Sequence, residues 1–329
     1  MSSAAPAHTH AQRPADVPAT RNGAPGHQAG DAPPTRRRRR GADTLSALPW
    51  LAPALLLIFA IVVFPAGYMI YNSTRRLSSV GTDMGSVGLD NYRRVFNDPN
   101  LPGLLWNSIL WVTVVVFGTV LISLALAQFL SKPFPGRVLV RMAVIVPWAA
   151  SVVMTTTLFY YALDPNYGTM NSVLVDLGIL ESGFGFTRNS STALYVAMVV
   201  GVFVSIPFTT YTLLAGLQAI PGDTLEAAKV DGASRWRTYV SVVLPQLRNA
   251  LAVATLINVI NVFNNLPILR IMTGSIPGYG SDTLMTYIFK VIEFDRRLDI
   301  ASTLSVVNFM IVVVIVVAYI MSVKPMKEV

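Results

Sequence analysis

Apolar residues in this chain come in long unbroken blocks. Six stretches, approximately 50–72, 104–130, 138–163, 193–217, 249–271 and 301–322, each supply about the 20 apolar residues that a helix needs to cross a bilayer. No water-facing surface could flank blocks of that length. The predicted fold class is therefore an all-α membrane protein with six transmembrane helices. Pro65, Pro147, Pro207 and Pro267 lie inside the blocks and predict kinks, which membrane bundles tolerate. Trp50, Trp106, Trp111 and Trp148 fall near block ends, where interfacial aromatics belong. Apart from Arg141 and Arg270, close to span ends, the spans contain no Asp, Glu, Lys or Arg. Ionisable groups at mid-membrane mark proton relays and ion paths, so the pattern predicts a conduit energised from elsewhere. No repeated filter sequence points to a channel.

Composition sharpens this picture. Of 329 residues 53% are hydrophobic and 13% charged, against about 25% charged in soluble domains. There is no cysteine, which excludes disulfides and thiolate chemistry, and the three histidines (His8, His10, His27) all lie near the N-terminus. No G-x-x-x-x-G-K-[ST] phosphate loop is present. An enzyme is thus the weakest reading, and any ATP and Mg would be held by another chain. Half of the net charge of +8 sits in residues 1–46. That segment is rich in Ala, Pro, Thr and Gly without apolar periodicity, and predicts a disordered basic tail ahead of a domain at 47–329. Arg36 to Arg40 stand just before the first block, where a basic cluster sets membrane orientation and touches anionic lipid rather than nucleic acid. With the N-terminus inside, sixteen Lys and Arg fall on the inner side and nine on the outer. Both termini are therefore expected in the cytoplasm.

The most informative stretch is the inner connection 221–245, PGDTLEAAKVDGASRWRTYVSVVLP. Asp223 with Glu226 three residues later suggests a capping box, and Leu225, Ala227, Ala228 and Lys229 are good helix formers. Gly232 offers the positive φ that ends a helix. A second short helix is expected from about Ser234 to Val243, before Leu244-Pro245. This predicts a helix–turn–helix knuckle on the inner side. Taken singly, each residue would equally suit an amphipathic loop lying on the bilayer.

Together they resemble the signature loop of bacterial binding-protein-dependent ABC importers: E-A-A, three residues, G, nine residues, I-x-L-P. Here Glu226-Ala227-Ala228 is followed by three residues and Gly232, then by nine residues to Val242 and by Leu244-Pro245, with only valine for isoleucine. The resemblance implies the type I permease fold of these importers, in the bacterial cytoplasmic membrane. It implies that Glu226, Ala227, Ala228, Asp231, Gly232, Leu244 and Pro245 form the coupling helix that docks on an ATP-binding subunit. Ala227 and Ala228 would allow close approach and Glu226 would pair with a basic group there. The implied partners are a second homologous permease subunit, two ATP-binding cassette subunits, an extracytoplasmic solute-binding protein and membrane lipid. No cofactor belongs to this chain.

Gly88-Leu89-Asp90-Asn91-Tyr92, Leu217-Gln218-Ala219-Ile220-Pro221 and Asp231-Gly232-Ala233-Ser234 narrow the resemblance to carbohydrate permeases of the maltose type, from about residue 48 to 322. Asn258, Asn261 and Asn265 fall at i, i+3 and i+7, which predicts one polar face on span five. Amides both donate and accept, as sugar hydroxyls require, although they equally serve as glue between helices. On span four Gly201, Val204, Ser205 and Phe208 share a face. Phe208 is expected to stack on a pyranose ring and Gly201 to leave room for it. Two alternatives stay open: a glycerol 3-phosphate or phosphodiester cargo, for which Arg270 is the one visible cation, and an ATP-independent carrier.

Overall fold

The computed structural model describes residues 42–323 apart from 275 and 277. The predicted tail up to residue 41 lies outside the described residues, and helix begins at Ala42, ahead of the expected boundary at 46. The chain divides into two units at Leu56/Leu57. In the first, the described residues belong to helix α1 (Ala42–Ile58), whose run is carried by a π-turn (Phe59–Val63) into α2 (Phe64–Ser73). A two-stranded antiparallel hairpin follows, β1 (Arg75–Leu77) and β2 (Asp83–Ser86), which the sequence pattern did not suggest. Then come α3 (Asp90–Phe96), α4 (Leu101–Ser131), α5 (Arg137–Ala149), α6 (Val152–Ala162), α7 (Thr169–Asp176) and α8 (Ser190–Gln218). The knuckle comprises α9 (Gly222–Val230), α10 (Arg235–Thr238), a π-turn (Tyr239–Val243) and α11 (Leu244–Gln246). The chain then forms α12 (Arg248–Phe263), α13 (Leu266–Thr273), α14 (Leu284–Lys290), a π-turn (Val291–Asp295) and α15 (Leu298–Val323).

Four helices, Pro49–Ser73, Leu101–Ser131, Thr192–Gln218 and Leu298–Ser322, are each long and apolar enough to span a membrane. Six spans are reached when each of two bent pairs counts as one. The predicted span 138–163 is such a pair: α5 and α6 meet at 93° across Ala150 and Ser151, just beyond Pro147. Helix α5 carries Pro147 inside it and runs on to Ala149, so the break falls after the proline and the prediction of one kinked helix becomes two helices. Pro207 is likewise carried inside a helix, the unbroken α8. The predicted span 249–271 is also cut. α12 ends at Phe263 and α13 starts at Leu266. At about 1.5 Å per residue, the 16 residues of α12 reach only about 24 Å, short of the hydrocarbon thickness of about 30 Å. On its other side α12 is bent by 65° from Arg235–Gln246.

Three cores hold the helices. The first joins Trp111 and Val115 of α4 to Ala197, Met198 and Val204 of α8 and to Ile268, Leu269 and Met272 of α13. A second gathers Leu101 and Leu104 of α4 with Leu284, Tyr287, Ile288 and Val291 and with Ile300 and Leu304 of α15. The third packs Ala127 and Leu130 against Leu213, Leu214, Leu247 and Ala254. Trp111 is 1% exposed and donates Nε1–H to the Val262 carbonyl at 2.8 Å. It is a core residue and not the interfacial aromatic its position suggested. Its indole needed a partner once buried, and the backbone near the end of α12 supplies it.

The Asn91 and Tyr92 side chains have a mechanical role that sequence reading missed. Asn91 is buried and donates to the carbonyls of Ser73 and Arg75 at 3.0 and 2.8 Å. Tyr92 and Ser73 join their hydroxyls at 2.8 Å, and Thr303 of α15 donates to the Ser73 carbonyl at 3.2 Å. Carbonyls left over where α2 ends are thereby satisfied.

Candidate functional site

The knuckle is built from its turn outward. Gly232 has φ +71°, in the region where L side chains are strained and glycine is not. Its N–H bonds the Lys229 carbonyl at 3.0 Å, and the N–H of Ala233 reaches back to the Ala228 carbonyl at 3.0 Å. Those two bonds are a Schellman closure of α9. On the far side Ser234 caps α10, its hydroxyl accepting from the Arg237 N–H at 3.3 Å. The start of α9 differs from expectation. Pro221 occupies the cap position, so Asp223 falls within the first turn and makes no capping bond. Its carboxylate there still favours the helix dipole.

Glu226, Ala227, Asp231 and Gly232 are exposed together. Ala228 is turned inward at 8% exposure, so it packs inside the chain where close approach to a partner had been expected. Leu244 and Pro245 form the first residues of α11, between buried Val243 and Leu247. Two further residues join the exposed set. Val230 and Trp236 are 87% and 75% exposed, large apolar side chains on a connection otherwise rich in charge. Exposed apolar groups rimmed by charges are what a docking surface presents. The available sequence signal was a tryptophan set between Arg235 and Arg237, after the small Ala233 and Ser234.

The predicted polar face is only partly assembled. Asn258 is buried at 4% exposure with its Nδ2 unpartnered, while Asn261, on the same helix, is exposed. Asn265 does not continue that face. It caps α13, its Oδ1 accepting from the Ile268 N–H at 3.1 Å, because the helix has already ended. An amide that the sequence reading left out lies close by: Asn308 of α15 donates to Asn264 at 3.4 Å, with its own Oδ1 unpartnered. Gly201 does not leave room for a solute. A Cβ there would stand 2.8 Å from the Trp111 ring, so the space is filled by packing between α4 and α8. Ser205 is half-buried, and its carbonyl accepts from Thr209. Phe208 is 36% exposed and lines an apolar pocket with Ile145, Trp148, Pro207, Tyr211 and Thr212.

Arg270, on α13, is fully engaged. Its guanidinium forms a two-pronged pair with Glu293 at 2.7 and 2.9 Å and lies 4.0 Å over the Phe289 ring. The hydrogen bond from Arg270 holds the Glu293 carboxyl below the usual carboxylate range. Beneath it Lys290 pairs with Asp282 at 2.7 Å. Burial pushes the Asp282 carboxyl upward against the pull of that lysine. No cluster of metal-ligating side chains occurs among the described residues.

These features, many apolar spans around a closed knuckle, agree with comparisons to known proteins. Residues 33–323 match the family described as binding-protein-dependent transport system inner membrane component. The chain belongs to this family. It is 31% identical over 81% of its length to the sulfoquinovosyl glycerol transport system permease protein SmoG of Agrobacterium fabrum, covering 86% of that protein. It is 30% identical to the trehalose transport system permease protein SugA of Mycobacterium tuberculosis, across 85% of this chain and 89% of that one. In fold it matches a bacterial alginate ABC transporter, crystallised in complex with an alginate pentasaccharide-bound periplasmic protein, with TM-score 0.74 at 19% identity. That match covers 87% of this chain and 95% of the other. The permease fold expected from the 221–245 loop is therefore present, as a multi-pass helical membrane protein.

Proposed function

We propose that this chain is the permease subunit of an ATP-driven importer, passing a sugar or oligosaccharide from an extracytoplasmic binding protein into the cytoplasm. The observation that carries the reading is the knuckle: a Schellman-closed turn at Gly232 presenting Glu226, Ala227, Val230 and Trp236 to a partner. That partner is an ATP-binding cassette subunit, present as a pair and holding ATP and Mg. A second, homologous permease subunit completes the path. The knuckle then faces the cytoplasm of a bacterial cell, as do both termini, in keeping with the excess of Lys and Arg on that side.

Relatives named for trehalose and for sulfoquinovosyl glycerol support a carbohydrate cargo, and the buried Asn258 Nδ2 and Asn308 Oδ1, each without a partner, suit hydroxyl-rich solutes. The pairing of Arg270 with Glu293 argues against an anionic cargo such as glycerol 3-phosphate. While that pair is closed, its bidentate carboxylate neutralises the cation and leaves little for a phosphate. Purification of the tagged chain from its own membrane tests the class. An ATP-hydrolysing subunit is expected to co-purify, with hydrolysis stimulated by the loaded binding protein. A chain that transports in proteoliposomes without any such subunit is an ATP-independent carrier, and the proposal fails.

A further inference from the structure

The Arg270–Glu293 pair bridges two separately packed parts of the chain. Arg270 rides on α13, whose buried face (Ile268, Leu269, Met272) belongs to the first core. Glu293 sits in the π-turn after α14, whose buried residues (Leu284, Tyr287, Ile288, Val291) belong to the second. The continuous helix α4 contributes to both cores, so the two sides share one rigid element and are joined across by side chains.

Each side also carries the mark of a joint. α13 is separated from α12 by the break at Asn264 and Asn265. The π-turn Val291–Asp295 ends at Arg296, with φ +50°, the one non-glycine residue at positive φ among the described residues. π-turns recur at functional irregularities, and a non-glycine residue held at positive φ stores strain that a rearrangement can release. Between the two sides lies a pocket of about 340 Å³ lined by Leu266, Arg270, Phe289 and Glu293 among others. The pair closing over it is only partly shielded, with side chains 42% and 38% exposed. The two-pronged geometry makes the pair stronger than an ordinary surface pair, while its exposure leaves it open to screening by salt.

We propose that Arg270 and Glu293 form a charge latch at the outer mouth of the translocation path, which opens to admit solute. The inference rests on the importer reading for its purpose and on the geometry alone for its existence. Phe289, 4.0 Å under the guanidinium, orients Arg270 in the closed pair. The buried Lys290–Asp282 pair, with Lys290 also donating to the Gly278 carbonyl, stays closed throughout and keeps α14 in register with the preceding loop.

The natural chain has no cysteine, so a single Leu266→Cys in the assembled transporter reports access to the pocket by its rate of reaction with a membrane-impermeant maleimide. Glu293→Gln should speed that reaction roughly two- to fivefold, the range that an exposed pair supports. The exchange R270E with E293R should return it toward the slow rate. Raising ionic strength to about 1 M, where the screening length is about 3 Å, should speed labelling when the pair is intact and leave Glu293→Gln unchanged. Labelling that is insensitive to salt with the pair intact overturns the latch, and this arm needs no variant of the pair itself. Equal rates with and without Glu293→Gln overturn it as well. Because access is read without transport, failure of an ATP-hydrolysing subunit to co-purify would sink the importer reading and leave the latch standing.

Discussion

Replacing Gly201 by valine separates packing from solute contact at the position where the two readings diverge most. A Cβ at residue 201 would lie 2.8 Å from Cη2 of Trp111 and 3.2 and 3.3 Å from the two Val115 methyls. Trp111 cannot swing aside cheaply. It is fully enclosed and its Nε1–H is committed to the Val262 carbonyl, and leaving that donor unpaired costs about 1–3 kcal/mol. Overpacking a filled core costs a similar amount, about 1–3 kcal/mol. Each kcal/mol lowers the unfolding temperature of a 150–250-residue domain by roughly 2–4 °C, so in this longer chain the substitution should lower it by a few degrees. Thermal unfolding of the purified chain in detergent measures this. Gly103→Val is the control, because a Cβ at Gly103, on α4, meets nothing within 4 Å. A Gly201→Val chain that melts with the unaltered one while losing uptake would refute the packing argument and return Gly201 to the solute path.

Gly232→Val should leave membrane insertion intact, since nothing lies within 4 Å of a Cβ there, but the left-handed backbone costs an L residue about 1–2 kcal/mol. Stimulated ATP hydrolysis in the assembled complex should therefore fall away while basal folding persists. Asn91→Ala removes two hydrogen bonds to the Ser73 and Arg75 carbonyls and should destabilise by about 1–3 kcal/mol, visible as a lower unfolding temperature with no change in the knuckle. Asn261→Leu, at an exposed helical position, should cut uptake without lowering the unfolding temperature. A drop in stability instead would assign this amide to contacts between helices.

The knuckle was legible because its determinants are local. Glycine at positive φ, a serine cap and a proline at the start of α11 act within a few residues, so spacing alone reveals them. Asp223 misled for an equally local reason: Pro221 takes the cap position and moves the acid into the first turn. The break in span five was legible in principle. Asn265-Leu266-Pro267 is a cap followed by proline in the first turn, but the hydropathy of the surrounding block hides it. What sequence could not disclose are pairings across the chain. Trp111 with Val262, Asn91 with Ser73 and Arg270 with Glu293 join residues whose distance along the chain says nothing of their distance in space. Hydropathy places a helix in the membrane without saying which of its faces is packed, and for that reason Gly201 and Trp111 were both misassigned.

The account depends most on the knuckle being the seat of an ATP-hydrolysing partner, and Ala227→Trp tests it directly. Ala227 is exposed on α9 while its neighbour Ala228 is buried, so a bulky side chain at 227 should block docking without disturbing the chain's own packing. The unfolding temperature should stay unchanged, and the ATP-hydrolysing subunit should no longer co-purify. Full retention of that subunit, with normal stimulation by the loaded binding protein, would contradict the assignment of this surface.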